Sequence, residues 1–197
     1  MNWFYSMIRK NRSNIIFIAL LAILYFTGLM SHIATFSQSM VVSSGLVNAN
    51  TDELMSEDFD FEFNIKDLEN KQVPFKQFKG KVIFLNLWAT WCGPCKAEMP
   101  SIQNLYDQVD HDKFKFVMLS IDREKDFEKV KSYVANRAFT FPVYASSAYT
   151  TDQLNVSSIP TTFVISKDGK IVMKEVGMKN YDTGKFKKFL ERLSEGK

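Results

Sequence analysis

The chain of 197 residues carries two cysteines, Cys92 and Cys95, separated by Gly93 and Pro94. At the start of a helix, a three-residue spacing puts both thiols on one face. If Cys92 caps that helix, its sulfur meets unpaired backbone N–H groups and the positive end of the macrodipole, which favour an anion. A thiol so placed has a lowered pKa and yields thiolate, the form that attacks disulfides. Cys95 can then resolve the mixed disulfide. Gly93 and Pro94 suit the tight first turn, where the missing proline N–H costs nothing. The same pair can also be read as a stapling disulfide, as half a zinc site or as a Cu(I) ligand pair. A structural zinc site wants four ligands, and the two histidines, His32 and His111, are not spaced to supply them. A disulfide-stapled mini-protein would have more cysteines in a shorter chain. Two thiolates suit Cu(I), and a non-catalytic copper carrier stays open, although the methionines do not cluster around the pair. The residues point first to redox chemistry, with no metal site expected.

An apolar strand must present the pair, and Lys81–Trp88 reads KVIFLNLW, a near-continuous run suited to a central strand covered on both faces. After Cys92 a helix is predicted with Met99, Ile102, Leu105, Tyr106 and Val109 inward. Upstream, Phe59, Phe61, Phe63 and Ile65 alternate with polar residues as in a half-buried strand, followed by a turn near Asn70 and Lys71. Downstream, Phe114–Ile121 reads as a buried strand and Asp126–Arg137 as a helix with Phe127, Val130 and Val134 at 3–4 spacing. Thr161–Ser166 and Lys170–Val176 flank Lys167-Asp168-Gly169, a hairpin signal. From Asp182 a last helix places Phe186, Phe189, Leu190 and Leu193 on one face. The order βαβα, then hairpin and helix, predicts an α/β sandwich with a mixed sheet.

The N-terminus reads as an address. Ile15–Met30 is an uncharged apolar run, extendable through Ile33 towards the length that spans a hydrocarbon core. Arg9, Lys10 and Arg12 precede it and place the N-terminus in the cytoplasm. The expected organisation is a cytoplasmic segment 1–14, a transmembrane anchor 15–33 (or a signal peptide), a linker 34–57 rich in Ser and Asn, and a folded domain 58–197. Taking those three cations from the 25 basic residues leaves 22, equal to the 22 acidic ones, so the rest of the chain is neutral. That balance argues against nucleic acid as a partner, since phosphate binding needs a clustered basic face.

The segment WATWCGPCKAEMP, Trp88 to Pro100, resembles the thioredoxin superfamily, and within it the membrane-tethered TlpA/ResA-like branch. The likeness runs roughly from Phe59 to Leu193. It implies a thioredoxin fold, a central mixed β-sheet flanked by helices, behind an N-terminal transmembrane anchor. Ile159-Pro160-Thr161 resembles the family's cis-proline loop, which packs beside the dithiol; an X–Pro bond is where a cis peptide is cheap. The Ile159 backbone would then offer strand-like hydrogen bonds to an extended substrate. The implied substrate-binding residues are Trp91, Gly93, Pro94, Ile159 and Pro160, and Pro100 matches a helix-kinking proline. Asn86 stands where cytoplasmic thioredoxins carry a buried Asp. Glu98 completes CxxCxxE, and a buried carboxyl of raised pKa there would exchange protons with the thiols; the competing role is a solvated helix acid. The implied catalytic residues are Cys92, Cys95 and Glu98, with no cofactor beyond the redox-active disulfide.

The resemblance implies an extracytoplasmic (periplasmic) thiol:disulfide oxidoreductase that reduces disulfide-bearing proteins. In the branch these are often apocytochromes in cytochrome c maturation or proteins of metal-site assembly, and a membrane electron donor regenerates the dithiol. A disulfide oxidase or isomerase is the alternative, the Gly-Pro dipeptide resembling that of reducing thioredoxins.

Overall fold

Val82–Trp88 (β4) is the strand on which the molecule is hung, with all seven residues buried. Side chains alternate across it. Val82, Phe84 and Trp88 enter one core, and Ile83, Leu85 and Leu87 enter a second on the opposite face. A computed structural model describes residues 12–26, 29–52, 55–147 and 150–196. Most of the expected cytoplasmic segment, residues 1–11, lies outside the described residues, as do 27–28 within the expected anchor.

The elements in chain order are α1 (Arg12–Phe26), α2 (Leu29–Ser43), β1 (Glu57–Asp58), β2 (Asn64–Lys66), β3 (Gln72–Pro74), β4, α3 (Gly93–Tyr106), β5 (Phe114–Ser120), α4 (Phe127–Arg137), β6 (Val143–Ser146), β7 (Thr161–Ile165), β8 (Lys170–Val176) and α5 (Gly184–Glu195). Among the described residues, eight strands form one sheet in the order β1-β8-β7-β4-β5-β6-β2-β3. β4, β5 and β6 run parallel, β7 runs antiparallel to β4, and β8 antiparallel to β7 and so in the direction of β4. The mixed sheet and the predicted hairpin are both present. Met99, Ile102 and Leu105 of α3, Val130 and Val134 of α4, and Phe186, Phe189 and Leu190 of α5 share the first core. Thr183 caps α5, its hydroxyl accepting from the Phe186 N–H at 3.1 Å.

An aromatic cluster fills the second face. Phe59, Phe61, Phe63 and Ile65 are buried as their alternation predicts, yet only Asn64–Lys66 of that stretch is paired as a strand. The three phenylalanines surround Phe75, with ring centroids 5.4, 6.0 and 4.6 Å from it. Ring packing holds this stretch together with single backbone bonds, the Phe59 N–H on Gly169 O at 2.8 Å and the Phe75 N–H on Phe63 O at 2.9 Å, where no ladder forms. Phe61 also closes over Gly169, which turns the β7–β8 hairpin at φ 80°.

The N-terminal region differs from the expectation of an anchor followed by an unstructured linker. The apolar run is divided between α1 and α2, and among the described residues no helix is long and apolar enough to cross a membrane. Ile16, Phe17, Ile18, Leu20 and Ile23 of α1 are exposed. α2 continues to Ser43, well into the expected linker, because Val42 is buried and the helix lies against α3. Its serines turn inward on the helix itself, Ser37, Ser39 and Ser43 donating to carbonyls three residues back at 2.8–3.0 Å. Beyond it the chain is stitched to the domain. The Asn180 N–H donates to Val47 O at 2.8 Å, the Ala49 N–H to Asn180 O at 3.2 Å, and the Asn50 N–H to the Glu175 carboxylate at 2.6 Å.

Candidate active site

β4 delivers the chain to the C-terminal edge of the parallel strands, where it turns through Ala89–Cys92 into α3. The Cys92 N–H donates to Ala89 O at 3.1 Å and closes that turn. Cys92 is the N-cap of α3, with extended backbone at φ −85° and ψ 106°, and Pro94 lies in the first turn. Cys92 and Cys95 are joined as a disulfide with Cα atoms 5.3 Å apart. The Cys95 N–H points at Cys92 Sγ from 3.2 Å. When the pair is reduced, the same donor faces the thiolate, together with the positive end of α3. Cys92 is 5% exposed and Cys95 fully buried, so the first is the sulfur a substrate can reach.

The side of Cys92 opposite α3 is closed by the loop before β7. The Ile159–Pro160 peptide is cis. The Ile159 carbonyl oxygen lies 3.8 Å from Cys92 Sγ. Trp91 is 69% exposed beside the same sulfur, an unusual position for so large an apolar ring. The structure thus brings Trp91, Cys92, Gly93, Pro94, Cys95, Ile159 and Pro160 to one place. Trp88 behaves differently: it is fully buried, packed against Tyr133 at 5.7 Å between centroids.

Glu98 lies one turn beyond Cys95 and is fully buried, so it is not a solvated helix acid. Asn86 Nδ2 donates to its Oε1 at 2.7 Å, and the Lys179 backbone N–H donates to its Oε2 at 3.0 Å. Asn86 Nδ2 also donates to Thr162 Oγ1 at 2.8 Å. Burial pushes the carboxyl up to about 8, against the opposing pull of the Lys179 backbone N–H, the Asn86 amide and the Lys179 charge. Loss of hydration is the larger effect because two donors cannot replace the water shell of a carboxylate. A group that titrates near neutrality, one turn from a dithiol, is equipped to exchange protons with it.

Three partners had no signal in the sequence. Lys179 acts through its backbone N–H, which no side-chain pattern records, and Thr162 is an ordinary strand residue by type. Asp122, whose carboxylate receives the Thr90 N–H and hydroxyl at 2.8 and 2.6 Å, lies 32 residues from Thr90 in sequence.

The Redoxin family profile matches residues 49–190. The thiol-disulfide oxidoreductase ResA of Bacillus anthracis is 38% identical over 116 residues, 58% of this chain and 66% of the relative. The chain therefore spans slightly under two thirds of the length of that relative. The crystal structure of StoA from Bacillus subtilis aligns at a TM-score of 0.50 and 26% identity, covering 68% of this chain and 93% of StoA. A thiol:disulfide interchange protein of the thioredoxin family from Chlorobium tepidum aligns at 0.57 and 23% identity, over 72% of this chain and 96% of its own, a likeness of fold. The fold is thioredoxin-like.

Proposed function

The chain belongs to the Redoxin family, and from that membership we propose that it is a thiol:disulfide oxidoreductase working through Cys92 and Cys95. One observation carries the reading: Cys92 caps α3 with the Cys95 N–H aimed at its sulfur from 3.2 Å. That arrangement favours the thiolate over the thiol. The Cys92 thiolate attacks one sulfur of a substrate disulfide, forming a mixed disulfide and expelling the other substrate sulfur as thiolate. Cys95, deprotonated, then attacks Cys92 Sγ, closes the Cys92–Cys95 bond and releases the second substrate thiolate. Two electrons pass from the dithiol to the substrate, and the two protons of the dithiol are left for the substrate thiolates. Glu98 is the group we assign to proton exchange at Cys95. Trp91, Gly93, Pro94, Ile159 and Pro160 form the surface on which an extended substrate lies, with the Ile159 backbone as its partner. No cofactor beyond the disulfide enters the cycle.

The direction we propose is reductive, on disulfide-bearing proteins outside the cytoplasm, including proteins of cytochrome c maturation or metal-site assembly, with a membrane electron donor restoring the dithiol. Similarity to the thiol-disulfide oxidoreductase ResA supports the thiol–disulfide chemistry, and the exposed apolar residues of α1 behind Arg9, Lys10 and Arg12 suit a lipid surface. Confinement near a membrane donor would raise its effective concentration. The full chain should reduce insulin with dithiothreitol as electron source, and Cys92→Ala should abolish that reduction; an active Cys92→Ala variant would sink the mechanism. A reduction potential near −120 mV, that of strong oxidants, in place of roughly −270 mV would reverse the proposed electron flow.

A further inference from the structure

We propose that Asp122 is a positioning residue for Cys92, acting through Thr90. Its functional meaning rests on the oxidoreductase reading, whereas its geometry does not. β5 ends at Ser120, and the Ile121 N–H donates to Trp88 O at 2.9 Å, holding the backbone where β4 ends. Asp122 follows and grips the next turn twice. Its Oδ2 accepts from the Thr90 N–H at 2.8 Å, and its Oδ1 accepts from the Thr90 hydroxyl at 2.6 Å. The carboxylate is itself held, since Ser120 Oγ donates to Oδ2 at 2.8 Å and the Asp122 N–H donates to Ser120 Oγ at 3.1 Å.

Thr90 lies two residues before Cys92, inside the turn closed by the Cys92 N–H on Ala89 O. Trp91, between them, is 69% exposed, so its ring gives the turn little packing. The turn is therefore fixed by the backbone at Trp88 and by a charged acceptor at Thr90, and charge-assisted hydrogen bonds are the stronger kind. Loosening Thr90 lets Cys92 Sγ drift from the Cys95 N–H and from the start of α3, and the thiolate loses its donor. The charge of Asp122 by itself has the opposite effect, because a nearby anion disfavours a thiolate. The sign of the change separates positioning from charge.

The measurement is the rate of Cys92 alkylation by iodoacetamide at neutral pH in the reduced full chain. The variants are Asp122→Ala, Asp122→Asn, Thr90→Val, Thr90→Ser and the pair Asp122→Ala with Thr90→Val. Both Asp122 variants and Thr90→Val should slow alkylation by at least about threefold, and Thr90→Ser should stay within about twofold of the unaltered chain. The double variant should be no slower than Asp122→Ala, because both changes cut one link. Unchanged or faster alkylation in the Asp122 variants overturns the proposal, as does additivity in the double variant. If the Asp122 variants do not fold, Thr90→Val decides against Thr90→Ser, and equal rates overturn the proposal. Alkylation needs no disulfide substrate. A chain inert on insulin with these variants slowed would end the oxidoreductase reading and leave the positioning role standing.

Discussion

Glu98→Gln should remove part of the pH dependence of stability. The carboxyl has an ordinary value of 4.5 and is held at about 8 in the folded chain by burial. Across that window the folded chain keeps a proton that the unfolded chain has lost. The unfolded state binds fewer protons, so stability falls as pH rises from about 4.5 to about 8 and is level on either side. At about 1.4 kcal/mol per pH unit, the whole window is worth about 5 kcal/mol, undiminished by solvent because the side chain is fully buried. Glutamine cannot titrate, so that slope disappears. It also cannot accept from both Asn86 Nδ2 and the Lys179 N–H, which adds a fixed cost of about 1–3 kcal/mol at every pH. Urea unfolding of the two oxidised chains at pH 5, 6.5 and 8 reads the difference. The unaltered chain should be the more stable at pH 5, and the balance should move towards Glu98→Gln by about 4 kcal/mol by pH 8. A difference that stays constant from pH 5 to 8 would refute the buried neutral carboxyl, and with it the proton-exchange role.

Two further expectations concern the frame around the site. Gly169→Ala should cost about 1–2 kcal/mol in urea unfolding, since φ is +80° and a Cβ would lie 3.1 Å from the Phe61 ring; an unchanged midpoint would mean that the hairpin relaxes freely. A chain beginning at Thr51 should be less stable by at least about 3 kcal/mol, at about 1 kcal/mol for each of the three bonds made by Val47, Ala49 and Asn50, with the burial of Val42 and Ala49 lost in addition. Equal unfolding midpoints for the two chains would show that this segment adds nothing to the domain.

The strands at the centre were legible because burial on both faces leaves a near-continuous apolar run, as in Val82–Trp88. The helices were legible where one stripe faces the core, as with Phe186, Phe189 and Leu190. Cys92 and Cys95 were legible because the chemistry requires those residue types at that spacing. β6 was not, since Val143–Ser146 is four residues long and follows Pro142. The β2–β3 hairpin showed only as a turn, each of its strands being three residues long. Alternation at Phe59–Ile65 gave the buried side correctly but not the pairing, because aromatic contacts satisfy the side chains without a ladder. α2 was hidden by its serines, whose hydroxyls bond back within the helix, and tertiary packing of Val42 outweighs that weak local preference. Glu98 could be placed on the helix from its spacing, but its burial depends on Asn86, Thr162 and the Lys179 backbone, drawn together only by the folded chain.

The two borders of the sheet have a consequence for life among unfolded polypeptides. β1 is two exposed acidic residues, Glu57 and Asp58, and β3 is three residues ending in Pro74, which has no N–H to offer. Neither border presents a row of free backbone groups long enough to recruit a stray strand. A catalyst that gathers extended, cysteine-bearing chains would otherwise invite them, or copies of itself, to add on and build a cross-β stack. Blunt borders make resistance to aggregation a property of the architecture, and they keep incoming chains for the Ile159 loop beside Cys92, where we propose that a substrate lies.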